Sequence, residues 1–253
     1  MFYIHVMKGF FFLVGLIYMN MTLSQKPIHF SFWNTRHNPT FSINEPNFTY
    51  ILYENKFFLK EWNNKLVGTD IKTKKGRISM HFAQRGNYNF SSNKTSIGYA
   101  QKMSPKLNLG LSLEYTFFHQ AEIKNNPALL TPTFGITYKH SELNTFYSSL
   151  YHSGIIFHNN GLPNCLLIFW NHKINESSSF ATGCITENEM VIGSFGFNYF
   201  YSDCIKFTIG INSSETPIEF AFTCSLKSFE FLLQNNYHQK LGISNQIGLA
   251  YKW

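Results

Sequence analysis

The stretch Ser244-Asn245-Gln246-Ile247-Gly248-Leu249-Ala250-Tyr251-Lys252-Trp253 decides the fold. Successive side chains of an extended strand point to opposite faces. Ile247, Leu249, Tyr251 and Trp253 therefore share one face, and Gln246, Gly248, Ala250 and Lys252 the other. Such a strand, apolar on one face, polar or small on the other and aromatic at its end, suits a tilted bilayer crossing in a closed β-barrel. There the apolar face meets lipid, the polar face lines the interior, and the aromatics sit at the membrane–water boundary. One such strand carries little weight, but its repetition through the chain carries a great deal.

The same alternation runs back through the chain. Leu107 to Phe117 is its cleanest instance: Leu107, Leu109, Leu111, Leu113, Tyr115 and Phe117 oppose Asn108, Gly110, Ser112, Glu114 and Thr116. Val191 to Tyr201, Ile205 to Ile211, Ile218 to Leu226 and Phe229 to Tyr237 repeat it, as do Arg77 to Ala83, Thr95 to Lys102 and Thr133 to Lys139. Asn144 to Tyr151, Cys165 to His172 and Phe180 to Thr186 follow, with two less regular strands at Phe48 to Phe57 and Trp62 to Ile71. This amounts to about fourteen strands, with about twelve as the alternative count, joined as antiparallel hairpins. Short links such as Ser104-Pro105-Lys106 and Ser141-Glu142 alternate with longer ones at His119 to Thr131 and Ser153 to Leu162. The expected fold class is all-β: a transmembrane, antiparallel up-and-down β-barrel over residues 47–253. An open sheet edge in hydrocarbon would leave backbone groups unsatisfied, so the terminal strand is expected to pair with the first one near Phe48 to Phe57.

Composition supports this reading against others. Mean hydropathy is −0.16, a value that a hydropathy plot would read as soluble. A barrel evades that test because its lipid-facing residues alternate with polar ones. The formal net charge is +7, but Lys and Arg are scattered singly apart from Lys72-Thr73-Lys74-Lys75, which reads as a solvated hairpin tip. Nucleic-acid binding is therefore not expected. Cys165, Cys184, Cys204 and Cys224 form no C-x-x-C pair, so no metal site is expected. His140-Ser141 and His152-Ser153 place adjacent side chains on opposite faces. With no G-x-S-x-G, H-E-x-x-H or phosphate loop, neither catalysis nor a cofactor is expected.

Before the strands, Lys8 and the apolar run Phe10 to Tyr18 precede Thr22-Leu23-Ser24, the pattern of a cleaved export signal over residues 1–24. Residues 25–46 are rich in Asn, Pro and His without periodicity and read as an N-terminal arm or plug. Alternation sends Arg85, Glu114, Lys139, Lys206, Glu219 and Glu230 inward, where charges either line a polar path or pair to fill a closed interior. On the lipid face each would cost a few kcal/mol.

Phe32-Trp33-Asn34 with His37-Asn38-Pro39-Thr40 resembles the Asn-Pro-Ala segment near the mature N-terminus of the FadL-type fatty-acid transporters. It also resembles that of the related PorV- and PorQ-type barrels of type IX secretion. The stretch Tyr53 to Glu61, the hairpin from Tyr99 to Gly110, and Tyr237 to Gly242 with the final strand are similar to stretches of the same group, in the same order. The resemblance makes Asn38 and Pro39 the family motif and implies a Gram-negative outer-membrane location. It implies one of two functions: transport of a small apolar ligand, or a structural or partner role in an envelope assembly. The expected partners are outer-membrane lipid and either such a ligand or an envelope protein.

Overall fold

The computed structural model describes residues 32–121, 128–151, 155–156, 165–187, 190–214 and 218–253. The expected export signal at residues 1–24 and much of the link at Ser153 to Leu162 lie outside the described residues.

A single antiparallel sheet dominates. Its strands are β1 (Phe48–Asn55), β2 (Asn63–Lys72), β3 (Arg77–Gly86), β4 (Phe90–Lys102), β5 (Leu107–Gln120), β6 (Ala128–Lys139), β7 (Asn144–Tyr151) and β8 (Ile155–Ile156). They continue with β9 (Cys165–Lys173), β10 (Ser178–Glu187), β11 (Met190–Ser202), β12 (Ile205–Asn212), β13 (Ile218–Leu226), β14 (Phe229–His238) and β15 (Gly242–Lys252). Apart from β8, each strand hydrogen-bonds to the strands before and after it, β7 to β6 and β9, and β1 also pairs with β15 from Phe48↔Lys252 to Asn55↔Asn245. This closure removes the sheet edges, as a hydrocarbon environment requires. β7 and the two-residue β8 both pair with β6, at Thr133↔Tyr151 and Leu129↔Ile156, and act as one interrupted stave. The result is a closed barrel of 14 staves.

Alternation holds around the wall. Leu111, Phe195, Phe207, Phe220 and Ile247 all point outward and are exposed, Leu111 at 61%. Inward positions on the same staves carry Ser194, Thr208, Glu219 and Gly248, all buried. An apolar outer surface of this extent is a lipid-facing wall. Among the described residues no helix is long and apolar enough to cross a membrane.

The termini of the barrel and its short turns share one end. There Thr73 N–H donates to Gly76 O at 2.8 Å, and the Ser104 and Ser141 hydroxyls accept from backbone N–H groups two or three residues on. The longer links lie at the opposite, loop end. Several boundaries differ from the sequence pattern, among them β4, which begins at Phe90 rather than Thr95, and β5, which runs to Gln120. β1 stops at Asn55 because Phe57 and Phe58 take left-handed φ of 56° and 58°, which turns the chain into the short 3-10 helix Lys60–Trp62. β6 begins at Ala128 rather than Thr133, because Leu129 and Thr131 continue the inward face while Pro132 takes an exposed outward position opposite Leu113. All four cysteines are free thiols.

Candidate functional site

The interior of the barrel is where chemistry can occur, and its main occupant is the segment 32–46. Two short 3-10 helices, Phe32–Asn34 and Pro39–Ser42, fold this segment across the turn-end half of the lumen. Asn38 caps the second: its Oδ1 accepts from Thr40 N at 3.0 Å and Thr40 Oγ1 at 2.6 Å, and Pro39 fits the first turn, where a missing N–H is harmless. The Asn38 amide then donates to the wall, to Ser148 O at 3.2 Å and Ile136 O at 3.4 Å. Thr40 Oγ1 meets Thr137 Oγ1 at 2.6 Å. The seat requires a bare backbone on the wall. A Cβ at Gly135 would lie 2.9 Å from Asn38 Cγ and 3.0 Å from Pro39 Cδ, and one at Gly110 would lie 2.8 Å from Pro39 Cγ.

Charged groups fasten the arm on its other side. Asp70 and Arg77 are buried at 0% and 2% exposure. Asp70 Oδ1 accepts from Ser42 Oγ at 2.7 Å and faces Arg77 Nε at 3.5 Å. The Arg77 guanidinium donates to the carbonyls of Glu45 and Pro46. His81 reaches Thr35 Oγ1 at 3.2 Å, Ser96 Oγ at 3.0 Å and Asp70 Oδ2 at 3.7 Å. Trp33 packs edge-on to Tyr50 and donates its indole N–H to Glu230 Oε1 at 2.8 Å. Glu230 also takes Lys252 Nζ at 2.8 Å and Ser225 Oγ at 3.2 Å, so a cation and two neutral donors compensate its burial.

The residues that alternation sends inward separate by height and partner. Glu230 and the pair Asn38-Pro39 belong to the arm seat. Glu114 is half-buried and holds Lys94 Nζ at 2.7 Å, with Thr116 Oγ1 at 3.3 Å. Arg85 is half-buried near the loop end, 5.8 Å from the Trp62 ring centre. Glu219 is buried and Lys206 half-buried on adjacent staves, the Lys206 ammonium 5.5 Å from the Phe200 ring centre. Lys139 stands exposed at the turn end of β6, at the rim. Just beyond β1, Lys56 is buried 3.8 Å from Glu54. Burial pushes its ammonium down to about 8, an effect the neighbouring carboxylate opposes. Among the described residues no three His, Cys, Asp or Glu gather as a metal site.

Sequence reasoning missed an apolar strip on the inner wall. Cys165, Leu167 and Phe169 of β9 and Ile185 of β10 form a buried cluster, with Tyr147, Tyr151 and Ile192 packed against it. The strip descends to the arm, where Tyr147 meets Phe41 edge-on at 5.2 Å and the Tyr151 hydroxyl donates to His37 O. Its signal was present: Cys165-Leu166-Leu167-Ile168-Phe169-Trp170 is apolar at both parities. An inward-facing apolar set on a barrel stave has no need of lipid, and it dries one side of the lumen. The neighbouring inner wall, β11 to β14, holds Asn198, Thr208, Glu219, Gln234 and Asn236, all buried and polar, whereas across the lumen a second buried apolar cluster gathers Phe48, Tyr50, Leu52 and Leu66 around Trp33 of the arm.

No family model and no curated protein matches the chain. Solved structures do match. A monoaromatic hydrocarbon channel, CymD, superposes with a TM-score of 0.62 at 10% identity over 90% of this chain and 95% of that one. The Ralstonia pickettii toluene transporter TbuX matches with a TM-score of 0.62 at 9% identity over 87% and 93%. The Pseudomonas putida toluene transporter TodX does so with a TM-score of 0.63 at 9% identity over 86% and 91%. At such identity the likeness establishes the fold, a closed barrel of the same build over nearly the whole chain.

Proposed function

We propose that this protein is an outer-membrane transport barrel of a Gram-negative envelope that admits a small apolar ligand, in the manner implied by its FadL-type resemblance. The observation that carries the reading is the apolar strip of Tyr151, Cys165, Leu167, Phe169 and Ile185, which runs inside the barrel and ends on the arm. An apolar solute gains about 25 cal/mol per Å² on leaving water for such a surface. Its path then meets the arm, which is held to the wall by hydrogen bonds, by the Asp70 and Arg77 contacts and by close packing on Gly110 and Gly135, so passage requires the arm to shift. The fold shared with hydrocarbon channels supports the same substrate class.

The arm filling the turn-end lumen favours a second reading, a partner barrel of an envelope assembly whose interior is sealed by charge pairs such as Lys94–Glu114. Soaking crystals of the protein with toluene separates the two. The transport reading expects ring density against Phe169 and Ile185 inside the barrel. A lumen that stays empty of toluene, with ligand only on the outer wall, favours the partner barrel.

A further inference from the structure

The outer wall has one place that lipid tails do not explain. Among strand residues with described side chains, Lys65 is the one Lys, Arg, Asp or Glu at an outward position. Its neighbours in β2, Leu66 and Asn64, point inward and are buried, and Val67 beside them begins the exposed apolar belt. A cation on the lipid face costs up to a few kcal/mol, falling towards zero at the boundary, so its position and surroundings matter.

Lys65 lies on the wall of a cleft of about 420 Å³ at the loop end of β2–β5. Asn63 and Gln84 flank it, Gln84 directly across the rung, and Ser91 and His119 pair on the far side. All five occupy outward positions. One step towards the turn end the wall turns apolar at Val67 and Phe82, a directly opposed pair. The upper edge is the β3–β4 link, tightened by Gly86 at φ +97° and by the Asn87 side chain accepting from Asn89 N and Phe90 N, both at 3.0 Å. Tyr88, 86% exposed, stands on this edge at the height where interfacial aromatics belong. The cleft thus sits where the hydrocarbon ends. Its lining is a Lys, a His, amides and a hydroxyl, with no carboxylate among them.

We infer that this cleft binds the phosphate of an anionic lipid headgroup in the leaflet surrounding the loop end. The inference rests on the barrel being membrane-embedded, as proposed above. Lys65 supplies the charge. Asn63, Gln84 and Ser91 supply neutral donors that fit phosphate oxygens, and the apolar wall from Val67 and Phe82 downward accommodates the acyl chains. A free phosphate ion would use the same donors but would leave that apolar continuation idle. Lipid is therefore the occupant to which the geometry points, and its headgroup neutralises Lys65.

Native mass spectrometry of the refolded, full-length barrel in detergent tests this, with diphosphoryl lipid A, phosphatidylglycerol, phosphatidylcholine and inorganic phosphate added separately. The expected result is one retained adduct with each anionic lipid and none with phosphatidylcholine or phosphate. In Lys65→Gln/His119→Gln occupancy should drop at least about fivefold, while Lys106→Gln in a turn at the other end leaves it unchanged. Equal adducts in the wild type and the double variant would overturn the site, as would equal retention of phosphatidylcholine. Phosphate retained without lipid would overturn the lipid assignment. Heat-modifiable migration, recorded on every sample, reports separately on whether the barrel has formed, so loss of the barrel reading is distinguishable from loss of the site.

Discussion

Gly135→Ala is the sharpest test of how the arm is held. Gly135 faces inward on β6 within regular strand, so alanine suits its backbone and the whole effect arises from the new Cβ. That atom would overlap Asn38 Oδ1 outright and stand 2.9 Å from Asn38 Cγ and 3.0 Å from Pro39 Cδ, below ordinary van der Waals contact. Either the wall and arm absorb the overlap, at about 1–3 kcal/mol, or the arm leaves. Leaving loses the bonds from Asn38 to Ile136 and Ser148 and from Thr40 to Thr137, each worth about 0.5–1.5 kcal/mol net. The smaller of these penalties governs, so seating weakens by about 1–3 kcal/mol, or about 5- to 150-fold in the seated population. Limited trypsin digestion reads this out, since Arg36 lies in the middle of the arm and is shielded while the arm is seated. The fragment beginning at His37 should appear much faster from Gly135→Ala than from the wild type. Gly193→Ala, whose Cβ would meet nothing within 4 Å, should match the wild type. Wild-type protection in Gly135→Ala, or equal exposure in both variants, would refute the seat.

Three further outcomes follow from the wall and the buried charges. Leu111→Arg should cost about 2–4 kcal/mol in urea unfolding from vesicles if it lies near the midplane, and Ser112→Arg, facing inward, distinctly less; equal tolerance at the two sites contradicts the alternation. Asp70→Asn removes the carboxylate beside buried Arg77 and should lower stability by about 3–5 kcal/mol, with Arg77→Met in the same chain recovering part of it; an unchanged urea midpoint in the single variant contradicts the latch. Lys56 is depressed from 10.5 to about 8 in the folded barrel, so between about pH 8 and 10.5 the unfolded chain holds a proton that the folded one has released. Stability should therefore gain from this group as pH rises through that window, and Lys56→Met should flatten the rise; identical pH profiles contradict the burial of Lys56.

The wall was legible because its chemistry is local. Leu107 to Phe117 and Ile205 to Ile211 announce their outward faces residue by residue, and closure of β1 on β15 follows from the cost of an open edge. The strand count followed from the same alternation, apart from the break that splits β7 from β8. The arm seat was not legible. Asn38 is 98 residues from Ile136 in sequence, and their contact depends on the register of every stave between them. Arg77 read as the start of a strand, and nothing local shows that its guanidinium turns inward to Asp70 and the arm carbonyls. Parity sends Glu114 and Glu230 away from the lipid face but is silent on partners, and Lys94 and Trp33 supply them. The apolar strip left a usable trace in β9, where both parities are apolar, and a wall that must face lipid on only one side leaves that excess unexplained.

The central claim, passage of a small apolar solute along that strip, is tested most directly by flux. Accumulation of radiolabelled toluene and of labelled glucose should be measured in cells carrying the wild-type barrel, the Ile185→Asp variant or no barrel, with surface expression matched. The account predicts that the wild type speeds toluene entry at low external concentration without speeding glucose. Ile185→Asp, which puts a charge into the dry strip while leaving the outer wall intact, should return toluene entry to the level of cells without the barrel. Toluene entry that is the same with and without the wild-type protein would contradict the claim.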